Sequence, residues 1–153
     1  MLSFTGNLSK DSEALLIFVN EKYSYIDKKR VLSKTLDEKI KSHLKVVRAK
    51  KEEDSIFSFE LTDKKTCFII KIKNNYESYL PQEKGGSFFS HLKQYKNVNK
   101  IDLYPDTLNF NNEKLVNFFT QFIFGFNLKA YTFNKYKTIN KEKINKKKTF
   151  KII

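Results

Sequence analysis

The chain alternates short apolar runs with longer amphipathic stretches, the pattern of strands separated by helices. Two strands are predicted at the start, Leu2 to Gly6 and Ala14 to Asn20, separated by a polar turn from Asn7 to Glu13. The second holds the unbroken run ALLIFV, which suits a strand covered on both faces of a sheet. From Val31 to Arg48, the residues Leu32, Leu36, Ile40, Leu44 and Val47 recur every three or four positions among charged ones, so a helix is predicted there.

Ser55 to Leu61 alternates apolar and polar residues, and Thr66 to Lys73 is a β-rich run centred on CFIIKI. A hairpin through Asp63, Lys64 and Lys65 would join them, with no glycine to fix its turn type. Pro81 suits the first turn of a second helix, where its missing N–H costs nothing, and Glu83 favours the positive end of the helix dipole. Gly85 and Gly86 weaken that helix by about 1 kcal/mol each relative to alanine, which points to close backbone packing, expected against the sheet. A strand from Lys100 to Tyr104 precedes Pro105.

The strongest helical pattern runs from Asn112 to Ala130. Asn111 or Asn112 can cap it, and Leu115, Phe118, Phe119, Phe122, Ile123, Phe126 and Ala130 fall on one stripe. Phe124 lies off that stripe, as partly exposed packing or as a protein interface. A basic segment, 135–148, then leads to a last strand from Thr149 to Ile153. Strands alternating with helices predict an α/β fold with a mainly parallel or mixed sheet, and no internal repeat or linker divides the chain.

Composition adds a charge problem to this picture. The formal net charge is +13, carried almost wholly by lysine, since Arg30 and Arg48 are the only arginines. The final 19 residues hold eight lysines against Glu142 alone. Codon bias in an AT-rich genome and selection for a polyanion partner both account for this. In the second case the contacts would come from Lys135, Lys137, Lys141, Lys143, Lys146, Lys147 and Lys148. Tyr131, Phe133, Tyr136 and Phe150 interleave with those lysines and could stack on single-stranded bases, so a stand-alone nucleic-acid-binding module is an alternative function.

Candidates for chemistry are few. Cys67 is the only cysteine, which excludes an internal disulfide, and it falls in a strand that should bury it as an inert thiol. His43 and His91 lack any metalloprotease spacing, the carboxylates are scattered, and Gly85 with Gly86 forms no phosphate-cradling loop. No catalytic, cofactor-binding or metal-binding residue is identified. The longest apolar stretch, Leu115 to Phe126, is shorter than the roughly 20 residues a membrane span needs, and no secretory signal is visible, so a soluble cytoplasmic protein is expected.

The segment 125–138, GFNLKAYTFNKYKT, resembles the stretch that closes the last large helix of the N-terminal domain in the leucyl (cytosol) aminopeptidases. That family's pattern runs roughly G-x-x-L-G-x-Y-x-F-x-x-Y-K-T. Gly125, Leu128, Tyr131, Phe133, Tyr136, Lys137 and Thr138 match it, while Lys129 stands where a second glycine is usual. The predicted succession of strands and helices follows the same domain over nearly the whole chain. The sequence departs from the family where a glycine pair commonly follows the central strand and Lys71 and Lys73 stand here, and where Phe124 replaces a frequent acidic residue.

The resemblance implies a macro-domain-like mixed sheet flanked by helices. It also implies that the catalytic domain, with two zinc or manganese ions and the signature N-T-D-A-E-G-R, lies in a part of the parent enzyme absent from this chain. The 153 residues would then have no cofactor and no peptidase activity of their own. Their partners would be the catalytic domain and the other subunits of a homo-hexamer, and in some bacterial members DNA. A third reading is an ADP-ribose-binding macro domain, for which the usual glycine loops are missing.

Overall fold

The computed structural model describes residues 2–50, 55–135 and 148–153. Six strands form one mixed sheet: β1 (Leu2–Phe4), β2 (Ala14–Val19), β3 (Ile56–Thr62), β4 (Lys65–Lys71), β5 (Lys100–Tyr104) and β6 (Thr149–Ile152). Their order across the sheet is β1-β6-β5-β2-β4-β3. All neighbours run parallel except β3, which pairs antiparallel with β4 at one edge.

Three helices cover the two faces: α1 (Lys34–Ala49), α2 (Leu80–Leu92) and α3 (Asn112–Lys135). β2 shows why this layering follows from the sequence. Leu15, Ile17 and Val19 pack with Ile40, Leu44 and Val47 of α1, while Ala14, Leu16 and Phe18 pack with Phe88 of α2 and Phe118 and Phe122 of α3. A strand in the middle layer has no solvent face, so its pattern is a continuous apolar run and not an alternating one. Fully burying each such side chain contributes about 1.5 to 3 kcal/mol.

Element ends differ from the sequence reading in instructive ways. The first helix begins at Lys34 rather than Val31, because the Asp27 carboxylate accepts the N–H groups of Val31 and Leu32, each at 2.9 Å, in a turn before the helix. Ser33 then caps Leu36 N. α3 continues five residues past Ala130. In the β3–β4 hairpin Lys65 belongs to the strand, and the turn is Asp63 and Lys64 alone. Neither residue takes the positive φ that a two-residue hairpin favours, and the pairing register shifts between Glu60 and Thr62.

Gly85 and Gly86 correct an expectation. They pack against α3, not against the sheet. α2 and α3 cross with Gly85 and Gly125 at the contact: a Cβ at Gly85 would overlap the Phe122 carbonyl oxygen and lie 2.8 Å from Phe126 N. One at Gly125 would overlap the Gln82 carbonyl and lie 2.6 Å from Gln82 Cα. Backbone occupies the space that either side chain would need. Gly86 is different, since a Cβ there meets nothing nearer than 3.7 Å.

Gly125→Ala is expected to destabilise by about 3 kcal/mol, because the two helices must move apart and unseat Phe122 and Phe126. Gly86→Ala should be neutral or stabilising by about 0.5 to 1 kcal/mol through helix propensity. Urea unfolding of the two variants checks this, and a tolerated Gly125→Ala would contradict the crossing.

Candidate functional site

Two surfaces stand out once the sheet is assembled. The first is a crevice at the carboxyl ends of β2, β4 and β5. The connection after β2 runs through α1 to the β3–β4 side of the sheet, and the connection after β4 runs through α2 back across to β5 on the other side of β2, so the winding reverses at this point. Ligands of open α/β sheets gather at such switch points. A cavity of about 420 Å³ lies there, walled by Asn20 and Tyr25 after β2, Asn74 after β4, and Phe110, Asn111 and Lys114 at the start of α3. Its lining holds no carboxylate.

Most of these groups are held by local bonds. Asn20 Oδ1 accepts from the N–H groups of Lys22 and Ser24, which folds the loop after β2 and sets Tyr23 at φ 57°. Asp27 anchors the far side of that loop: besides its two N–H bonds, its carboxylate accepts the Tyr104 hydroxyl at 2.6 Å. Burial, reinforced by Asp27, pushes the Tyr104 phenol well above its ordinary value, so it remains a donor. The Tyr25 phenol is raised in the same way, by burial and by its bond to Asp37. Lys114 Nζ donates to the Asn74 carbonyl at 2.9 Å and sits 4.4 Å from the Phe110 ring centroid. Lys71, where the aminopeptidases commonly carry glycine, donates to the Tyr23 hydroxyl at 2.9 Å beside this loop.

The second surface is the outer side of α3. Phe118, Phe122 and Phe126 point into the core, as the stripe predicts, whereas Val116, Phe124, Leu128 and Tyr131 are 54 to 66% exposed. The segment that resembles the aminopeptidases therefore divides. Gly125 is buried at the helix crossing, and Leu128 and Tyr131 face outward. Phe133 lies within α3, and Tyr136, Lys137 and Thr138 fall outside the described residues.

Of the basic segment, the structure describes only the two ends. Lys141, Lys143, Lys146 and Lys147, like Lys137, lie outside the described residues, and Lys135 is the last residue of α3. Lys148 is half-buried, with its ammonium donating to the carbonyls of Tyr95 and Val98, and burial lowers its pKa. Phe150 is buried in β6 against Phe126. Neither Lys148 nor Phe150 is presented to a polyanion.

The remaining candidates are structural in their surroundings. Cys67 is fully buried, and burial raises its thiol pKa far above the ordinary value. His43 stacks on Phe59, and His91 lies near Ser58 and Tyr95. Among the described residues no group of three or more His, Cys, Asp or Glu side chains could hold a metal ion. No helix among them is long and apolar enough to cross a membrane.

Sequence reasoning missed two carboxylates. Asp27 sits in a loop with no periodic signal. Asp102, inside the β5 sequence KIDLY, is completely buried; its Oδ2 accepts from Ser9 N (2.9 Å) and Ser12 Oγ (2.6 Å), with Lys65 Nζ at 3.5 Å. It ties the loop before β2 to the sheet. An aspartate in an apolar strand is a signal of such an anchor, though its partners are distant in sequence.

No protein-family model matches the chain, and no curated protein matches it in sequence. Solved structures do. A mutant of tomato leucine aminopeptidase superposes with a TM-score of 0.67 at 10% identity, covering 99% of this chain and 32% of that one. The macrodomain of DarG from Thermus aquaticus gives 0.62 at 12% identity, covering 100% of this chain and 98% of that one. The macrodomain of DarG from Mycobacterium tuberculosis gives 0.62 at 10%, covering 99% and 97%. The chain thus spans about a third of the tomato enzyme and nearly all of each macrodomain, and at these identities the likeness is one of fold.

Asp27→Ala removes the acceptor for two backbone N–H groups and one phenol, and is expected to cost about 2 kcal/mol. Tyr104→Phe, which removes one of those bonds, should cost about 1 kcal/mol. Chemical denaturation of both variants reads the difference, and equal losses would contradict the anchoring role of Asp27.

Proposed function

We propose that the chain is the non-catalytic N-terminal domain of a metal-dependent leucyl aminopeptidase and serves in assembly or regulation of the enzyme that removes N-terminal residues from peptides. The observation that carries this reading is the divided motif. The GFNLKAY segment buries its glycine where two helix backbones touch, yet turns Leu128 and Tyr131 outward beside Phe124. An apolar ridge of this kind on a protein of net charge +13 is a docking surface. The partners proposed are the catalytic domain and neighbouring subunits, with a two-metal hydrolytic centre located in that other domain.

The test extends the natural reading frame. The longer protein should hydrolyse leucyl amide substrates in the presence of manganese or zinc, and the 153-residue chain should not. Hydrolysis by the short chain, or a reading frame with no metal-ligand cluster downstream, overturns the proposal.

A second reading is favoured by the crevice at the switch point, whose carboxylate-free walls carry Lys114, several amides and the rings of Tyr25 and Phe110. That lining suits a phosphorylated nucleoside such as ADP-ribose, as in a macro domain. Calorimetric titration of ADP-ribose should show saturable heat that Lys114→Ala weakens by about tenfold. Flat titrations remove this reading.

A further inference from the structure

We infer that the outward face of α3 is a homotypic interface, on which two copies of this chain pair with their helices antiparallel about a two-fold axis near Phe124. This rests on the assembly reading above and gives it a specific partner.

The argument begins with charge. Thirty Lys and Arg residues are spread along the chain, so most ways of bringing two copies together set cation against cation. α3 is an exception along its outer side. At roughly 3.6 residues per turn, the positions facing away from the core between 116 and 131 are Val116, Asn117, Thr120, Phe124, Asn127, Leu128 and Tyr131, all exposed and none charged. The lysines of this stretch of helix are turned to its flanks. Lys114 is bound to the Asn74 carbonyl and lies over Phe110, and Lys129 has its Cβ on the Gly86 side. Loss of lysine together with exposed Phe and Tyr is the compositional mark of an interface core.

The strip is also self-complementary. Antiparallel pairing about Phe124 sets the two Phe124 rings together, Thr120 against Leu128 of the second copy, and Asn117 against Tyr131 of the second copy. A different partner, meeting a cationic protein, would be expected to match lysines with carboxylates, and this strip offers it none. The strip from Val116 to Tyr131 is about 22 Å long. One helix pair of that length is a small interface, so weak, reversible pairing is expected.

Sedimentation velocity of the 153-residue chain, from about 5 to 200 micromolar at physiological salt, reads the proposal directly. A monomer–dimer equilibrium should appear, and Phe124→Lys should raise its dissociation constant at least tenfold. At concentrations too low for pairing the melting temperature should match that of the unaltered chain, because Phe124 is 54% exposed in the single copy. Leu128→Lys, on the same strip, should raise the dissociation constant likewise. Val46→Lys, at an equally exposed apolar position on α1, should have no effect. A chain that is monomeric throughout, or a dimer indifferent to Phe124→Lys, overturns the proposal. These readouts are independent of peptide hydrolysis. A peptidase parent with a monomeric domain would sink this inference alone, and a dimeric chain with no peptidase parent would sink only the other.

Discussion

The backbone contact between α2 and α3 is the constraint on which the rest of the structure depends. Gly85 meets the Phe122 carbonyl and Gly125 meets the Gln82 carbonyl, so neither helix can carry a side chain at the crossing. That approach brings Phe88 and Phe89 of α2 against Phe126 and Phe122 of α3. These rings then form the ceiling over Phe18, Phe68 and Phe150 of the sheet, largely through edge-on contacts. A wider crossing would leave the aromatic layer unfilled, since a core filled by large rigid rings has little freedom to relax around a gap.

Much of this was legible in the sequence, for a physical reason that differs by element. β2 could be read because burial on both faces removes alternation, and α3 because its inward rings repeat with the helical period. The glycines of α2 announced a close approach but not its partner, since a missing side chain marks tightness and says nothing of direction. Helix starts shifted where a side chain competes for backbone donors, as Asp27 does at Val31 and Leu32. Polar anchors such as Asp102 were illegible, because their partners are remote: Ser9 and Ser12 lie about ninety positions away.

The basic charge informs by where it is absent as well as by where it gathers. Lysines close together in sequence do not form a surface unless their ammonium groups are free, and Lys148 donates to the carbonyls of Tyr95 and Val98. A lysine's long stem lets it reach such acceptors while its charge stays near solvent, so lysine density is a poor guide to a polyanion site. The places that lysine avoids are more informative. In a chain this basic, a strip without cations needs an explanation, whereas a cationic patch is what composition alone would produce.

α3 shows how one residue type takes opposite roles by position. Phe118, Phe122 and Phe126 each lie close to other rings of the core, which offsets the ordering of their side chains. Phe124 sits between the last two and keeps more than half its surface in water, with Leu128 and Tyr131 beside it. A single exposed aromatic on a soluble protein needs no explanation. Several on one helical face do, because burying that area would contribute free energy that the described fold leaves unused. The helix crossing makes this arrangement rigid: Gly125 fixes the rotation of α3 about its own axis, and with it the direction in which Phe124 points. The same contact that closes the core therefore also sets the outer ridge at a fixed angle.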